Sequence, residues 1–299
     1  MKKQTSKLRQ KMNVSNKTLK KLKCGPKLQK DKKDYTCYTD NELHRLKTLW
    51  NSRHGDDRIN SNNSKYIHER LTTRLLNTCD KESCWLKQLM NLKDVSKNDL
   101  LASFAPVAPS EWKKNRNVWL SSADLVDVMK QYEMTYKCFA FLGPSPIDFD
   151  TRKLYGTCVW EELCNFNLAE MITKKKNKIG IIFNTDPHYK SGSHWVSLFI
   201  NIKKKQIFYF DSVGTKVPKQ IMTFVTRVMG QGLEHNIKFS FDSNEGYEHQ
   251  KGNTECGMYS LYFIVHMVED KMTKHYLKTH RLKDKYIESF HKIYFNESI

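Results

Sequence analysis

The sequence predicts an α+β fold, a central mixed sheet flanked by helices, and three observations carry that expectation. Short apolar runs at Ile179 to Asn184, Trp195 to Asn201 and Gln206 to Phe210 are bounded by charges or turn residues, as strands are. Apolar residues recur at helical spacing on either side of them, at Leu125, Val128, Met129 and Tyr132 and again at Ile221, Phe224, Val225 and Val228. Finally, the unbroken apolar segment Met258 to Val268 is long enough for about three helical turns.

At 299 residues the chain can bury a sizeable core, as one large domain or two small ones. It reads as a basic disordered arm over residues 1–34, a helical N-terminal region over 35–103 and a larger α+β domain over 104–299. Residues 1–33 hold thirteen Lys or Arg against the single acid Asp31, so +12 of the formal +19 lies there and +7 on the rest. So polar a stretch cannot bury enough surface to offset the entropy of ordering. Its charge suits docking on nucleic acid or an acidic partner as well as plain solvation.

Beyond the arm, Glu42 to Trp50 is a helix capped by Asp40 or Asn41, with Leu46 and Trp50 on one face. The turn cluster Asn51 to Asp57 follows, then helices at Ile67 to Leu76 and Trp85 to Leu92. Cys79 and Cys84 stand near His54 and His68 in sequence, but Cys-x4-Cys with no second matched pair is poor support for a tetrahedral zinc site. They are expected to pack, with no metal.

Phe104 to Pro109 carries two prolines and reads as an extended linker. Trp112 and the Trp119-Leu120 pair then introduce a helix from Ser122 to Tyr132, capped by Ser121 or Ser122. Phe139 to Leu142 runs into Gly143-Pro144-Ser145-Pro146, a turn or extended loop, and a helix from Trp160 to Thr173 ends at the lysines 174–176. The strand from Trp195 is apolar on both faces except at Ser197, which places it inside the sheet. Lys203 to Lys205 form a tight turn, so this strand and the one from Gln206 pair antiparallel. That pairing brings His194, just before one strand, beside Asp211, just after the other. Pro218 opens a helix that Gly230-Gln231-Gly232 should stop, Asn236 to Phe241 is a further strand, and Thr273 to Phe295 reads as helical.

Cys256 sits at the start of the apolar helix, after a polar loop from Asp242 to Thr254. Unpaired N–H groups and the positive end of the helix dipole favour anionic sulfur there, so the thiol leans toward the nucleophilic thiolate. A cysteine beside an apolar run is usually a small core hydrophobe. What distinguishes this one is the ordered set of His194-Trp195, Asp211-Ser212 and Gln250 six residues before Cys256-Gly257, which supplies a base and its orienter. The eight cysteines are scattered without the spacing of a disulfide-dense secreted domain. No N-terminal apolar run suits a signal peptide, and no stretch of about eighteen apolar residues could span a bilayer. The expectation is an intracellular, reducing location and no membrane partner.

The HW pair at His194-Trp195, the strand ending in Asp211-Ser212, the Q-x5-C-G run from Gln250 to Gly257 and the W-L pair at Trp119-Leu120 resemble the ubiquitin-like-protein-specific cysteine protease family. That family includes the SUMO proteases and, more distantly, the adenovirus protease and the African swine fever virus polyprotein protease. The likeness covers about Trp119 to Val268, and the TECG-x-YS-x-Y wording at Thr254 to Tyr262 looks most like proteases of large DNA viruses. It implies a papain-like cysteine protease core of the adenain or SUMO-protease type, with an extra N-terminal helical region. It further implies catalytic His194, Asp211 and Cys256, an oxyanion hole from the Gln250 amide and the Cys256 backbone N–H, and a cleft narrowed by Trp119 and Trp195 that prefers Gly-Gly substrates. No cofactor is called for. The implied partner is a polypeptide, either a viral structural polyprotein or a SUMO-like or ubiquitin-like conjugate. A non-enzymatic nucleic-acid-binding protein acting through residues 1–33 is the rival class. If viral, the protein is expected in the host cytoplasm, the virus factory and the virion.

Overall fold

Strand β3, Trp195–Asn201, is buried at every position because side chains on both of its faces are apolar. It occupies the middle of a five-stranded sheet ordered β1-β2-β3-β4-β5, with β1 Phe139–Pro146, β2 Lys178–Asn184, β4 Gln206–Phe210 and β5 Ser240–Ser243. The pairs β2/β3 and β3/β4 are antiparallel, while β1/β2 and β4/β5 are parallel, which makes the sheet mixed.

The computed structural model describes residues 18–90 and 100–298. They fall into two compact units, residues 18–22 with Asp31–Phe104, and Lys23–Lys30 with Ala105–Ser298. The first unit packs the helices Asp40–Arg53, Ser64–Leu75 and Cys84–Leu89 around Tyr38, Leu46, Trp50, Leu71 and Trp85. In the second unit, strand alternation sends Ile181, Val196, Leu198 and Ile207 to one face of the sheet, against the Lys219–Glu234 helix. Trp195, Phe199, Phe208 and Phe210 go to the other face, against the Ser122–Thr135 and Cys256–Val268 helices. Each such side chain contributes about 1.5–3 kcal/mol by leaving water. The Cys256–Val268 helix is apolar all round and buried except at His266 and Met267, as a helix enclosed on every side must be.

Several elements differ from their sequence-based expectations, each for a physical reason. Gly143 to Pro146 belongs to β1 and is not a loop. Proline is tolerated there because β1 is an edge strand, and the register shifts between Leu142 and Ser145. The helix expected from Trp160 to Thr173 is split into Glu161–Cys164 and Leu168–Thr173, since the Asn167 side chain accepts the Glu170 N–H and starts a new helix. Gly230 and Gly232 do not stop their helix, which runs to Glu234. A Cβ at Gly232 would lie 2.6 Å from Phe239 Cδ2 and 2.7 Å from the Ile237 carbonyl oxygen, so that glycine is demanded by close packing. The strand expected from Asn236 lies at Ser240–Ser243, and the C-terminal helix is three short ones, Lys274–Thr279, Asp284–Glu288 and His291–Tyr294. The cap at the first helix is Thr39, in a reciprocal box with Glu42.

The expectation of a disordered arm over residues 1–34 also needs correction. Residues 1–17 lie outside the described residues. From Thr18 onward, Leu19 and Leu22 pack on the first unit's core, and the Lys20 N–H donates to the Asp80 carbonyl at 2.6 Å. Lys23 is held by the Asn296 side chain, which accepts its N–H at 2.7 Å and donates to its carbonyl at 2.9 Å. Average composition hides these few pairings. The cysteines depart from expectation too, for Cys79 is bonded to Cys84, where packing alone was expected, and Cys158 is bonded to Cys164. Sequence separations of five and six bring the members of each pair within reach, whereas Cys138 and Cys256 stay free thiols. Among the described residues no helix is long and apolar enough to cross a membrane.

Candidate active site

The antiparallel register that sets Ser197 opposite Phe210, continued past β4, would set Asp211 opposite Val196, two residues along from His194 and on the same face, so His194 and Asp211 are diagonal neighbours at one edge of the ladder. His194 Nε2–H accordingly donates to Asp211 Oδ1 at 2.7 Å. Asp211 is fully buried and held from several sides. Its carboxylate accepts the Val213 N–H at 3.0 Å, the Thr215 N–H at 3.1 Å and the Thr215 hydroxyl. Its own peptide exchanges bonds with buried Asn244, whose Oδ1 accepts the Asp211 N–H at 2.9 Å and whose Nδ2 donates to the Asp211 carbonyl at 2.6 Å. Burial pushes the Asp211 carboxyl up, but the bonds and charge from His194 and the donors at Thr215 and Val213 prevail and lower it.

With Nε2 taken by Asp211, the other imidazole nitrogen is left for the Cys256 sulfur, which lies close enough to help raise the pKa of the ring. Burial alone would lower the pKa of His194. Bonds to Asp211 and Cys256 outweigh burial and raise it to about 9. Cys256 is itself buried and is the first residue of its helix. Glu255 before it gives the helix no side-chain cap, because its carboxylate instead accepts from His291 Nε2 at 2.8 Å. The first N–H groups of the helix therefore remain directed at the sulfur's end.

Gln250 is buried and gripped at both ends of its amide. The Ser212 hydroxyl donates to Oε1 at 2.7 Å, and Nε2 donates to the Gly252 carbonyl at 2.9 Å. Trp195 is nearly buried, its Nε1–H donating to the Leu120 carbonyl at 3.0 Å, whereas Trp119 is 42% exposed. Both line a cleft of about 1010 Å³ that also reaches His194 and Leu120. Gly257 lets the helix start approach that wall, since a Cβ there would lie 3.1 Å from Leu120 Cβ and 3.3 Å from Trp195 Cδ1.

The structure thus brings His194, Asp211 and Cys256 together, puts Gln250 on the loop leading to Cys256, and sets Trp119 and Trp195 on one cleft. Sequence reasoning missed Asn244 and Thr215. Thr215 had a local signal, because Asp followed within four residues by N–H donors is a turn that folds onto its own carboxylate. Asn244 lies 33 residues from its partner and had none.

Residues 106–299 match the Ulp1 protease family, C-terminal catalytic domain. A protein of Acanthamoeba polyphaga mimivirus named as a thiol protease is 30% identical over 267 residues, covering 82% of this chain and 84% of that one. A protein of African swine fever virus named as a SUMO-1 cysteine protease is 28% identical over 252 residues, covering 76% and 88%. The crystal structure of the African swine fever virus protease superposes with a TM-score of 0.62 at 19% identity, over 95% of this chain and 98% of the other, which shows a shared fold.

Proposed function

The chain belongs to the Ulp1 protease family and is a cysteine protease, and from that premise we propose that it hydrolyses peptide bonds after small residues, at Gly-Gly-like sites, through Cys256, His194 and Asp211. The observation that carries this reading is one imidazole shared between a buried carboxylate and a thiol at a helix start, beside a cleft flanked by two tryptophans. The thiolate attacks the scissile carbonyl, and His194 passes its proton to the leaving nitrogen, which departs as the amine and leaves a thioester. His194 then takes a proton from water, whose oxygen attacks the thioester and releases the acid and the thiol. One Gln250 N–H is engaged by Gly252, so the other, with the Cys256 backbone N–H, receives the oxyanion. Each such donor is worth about 3 kcal/mol in the transition state. Trp195 and Trp119 leave little room for side chains next to the scissile bond.

The substrate class we favour is a viral structural or core protein, by analogy with relatives from large DNA viruses. Deconjugation of a ubiquitin-like modifier is the second reading, favoured by the name of the African swine fever virus relative. A fluorogenic peptide ending in Gly-Gly, its Leu-Leu counterpart and a SUMO fusion separate the readings. The Gly-Gly peptide should be cleaved at least about a hundredfold faster than the Leu-Leu one, with no advantage for the fusion. A strong preference for the fusion would transfer the assignment to deconjugation. A nucleic-acid partner for residues 1–33 has only the charge of the arm behind it and forms no part of the proposal.

The pH profile supplies a second test. The folded pKa of His194 is raised from 6.5 to about 9, so the partnered imidazolium is fully present below 6.5 and is lost as pH rises through about 9. The stability it adds follows the same window. The alkaline limb of kcat/KM is therefore expected near pH 9, and Asp211→Asn should move it to lower pH by removing the bond and charge that raise the imidazole. A limb unmoved in that variant would show that Asp211 does not set it.

A further inference from the structure

The loop between Gln250 and Cys256 holds its shape through a residue far along the chain. Asp284, in the C-terminal segment, accepts the Gly252 N–H on Oδ2 at 2.9 Å and the Lys251 N–H at 3.1 Å. Its Oδ1 accepts the Tyr259 hydroxyl at 2.7 Å, and that hydroxyl also lies 2.8 Å from the Leu282 carbonyl. Tyr259 stands on the first turn of the helix that Cys256 begins. One carboxylate therefore ties together the loop that carries Gln250 and the helix that carries the sulfur.

The chain of bonds continues to the amide itself. Gly252, whose N–H is held by Asp284, presents its carbonyl to Gln250 Nε2, and Ser212 fixes the opposite end of that amide. With one N–H and Oε1 both engaged, the direction of the remaining N–H is set by where Gly252 sits. Next to Gln250, buried His249 anchors the same C-terminal segment. Its Nε2–H donates to the Leu277 carbonyl at 2.9 Å, and its Nδ1 accepts the Leu282 N–H at 3.1 Å. Both its nitrogens are thereby used, which removes His249 from proton transfer and makes it a fastener between the Gln250 loop and residues 277–282.

We propose that Asp284 is a positioning residue for the oxyanion hole, fixing the Gln250 amide relative to Cys256 by clamping Lys251, Gly252 and Tyr259 with one carboxylate. The proposal rests on the reading of Gln250 and Cys256 given above. A hydrogen-bond donor acts on the transition state only when it is aimed at the developing charge, and a small displacement forfeits most of its effect. Attack of the sulfur on an unhindered alkylating agent builds no oxyanion and does not use the amide. The two reactions of Cys256 should therefore part company when the clamp is removed.

The experiment uses the full chain with the Gly-Gly fluorogenic peptide, a Gly-Gly aldehyde that closes to a tetrahedral adduct, and iodoacetamide. Asp284→Ala is expected to lower kcat by about tenfold to a hundredfold with KM little changed. Affinity for the aldehyde should fall by a similar factor, while the rate of Cys256 alkylation and its pH profile stay within about twofold. Asp284→Asn should recover most of the loss, because its oxygen can still accept the loop N–H groups while its amide donates to the Tyr259 oxygen. Asp284→Ser, too short to reach both the loop and Tyr259, is made alongside so that the ratio can be read if the alanine variant does not fold. A kcat within twofold of the parent, or alkylation falling in step with kcat, would overturn the assignment. Failure of the underlying reading is distinct, since it would show in the parent enzyme as turnover that survives complete alkylation of Cys256.

Discussion

Cys256→Ala is expected to abolish peptide hydrolysis, lowering kcat by about 10⁴-fold or more, while the protein stays folded. The chemical reason is that no other group at the site can form the thioester. His194 lacks a partner to deprotonate, and Cys138, the other free thiol, lies immediately before the start of β1, distant in sequence from the His194 and Asp211 edge. The structural reason is that replacing the thiol with a methyl group keeps a small residue at a good helix-forming position, so little packing is lost. Circular dichroism and thermal melting of the variant beside its turnover measure both halves. Turnover at the parental rate in protein shown by mass spectrometry to carry the substitution would remove Cys256 from the mechanism.

His194→Ala should be almost as severe, on the order of 10³-fold to 10⁴-fold in kcat, because one ring both raises the nucleophile and serves the leaving nitrogen. Its effect on stability is expected to be the more informative. Asp211 is fully buried, and with the imidazole gone its carboxylate keeps the Val213 and Thr215 donors but loses its largest charge partner. A buried charge stripped of a partner is destabilising, and the group offsets this by taking up a proton more readily. His194→Ala should therefore melt lower than the parent near neutral pH; the deficit should not shrink between neutral pH and about 6.5, where the parent's imidazolium contribution is completed, and should shrink only at more acid pH, where Asp211 in the variant takes up a proton. A melting temperature equal to the parent's at neutral pH would mean that the Thr215 and Val213 bonds alone satisfy Asp211. Combining His194→Ala with Asp211→Asn should then restore stability without restoring turnover, which separates the two functions of the pair.

The elements legible beforehand were those with a local code. The Ser121 cap, the doubly apolar run of β3 and the lysine turn before β4 act over a few residues, and the turn places His194 and Asp211 at one edge of the sheet. Where local signals misled, the reason was tertiary. The prolines of β1 suggest a loop because they cannot donate to a ladder, yet an edge strand leaves that donor unneeded. Gly232 reads as a helix stop because nothing in sequence announces that Phe239 will press against it. The arm reads as disordered because Leu19 and Leu22 are outweighed in composition by lysine, although two leucines suffice once a core is there to receive them.

By itself, the sequence determined the order of chemical groups along the chain: a histidine before a buried strand, an acid after the next, and a cysteine at the head of an apolar helix. Only the tertiary structure decided how those groups are held. Asn244 reaches Asp211 across 33 residues, Ser212 reaches Gln250 across 38, and Asp284 reaches Gly252 across 32. Periodicity and turn chemistry operate within about one turn or one hairpin, whereas a hydrogen bond between distant residues depends on the packed positions of both backbones. That dependence leaves no trace in either local sequence, which is why the groups proposed to react could be named from the sequence and the groups that hold them could not.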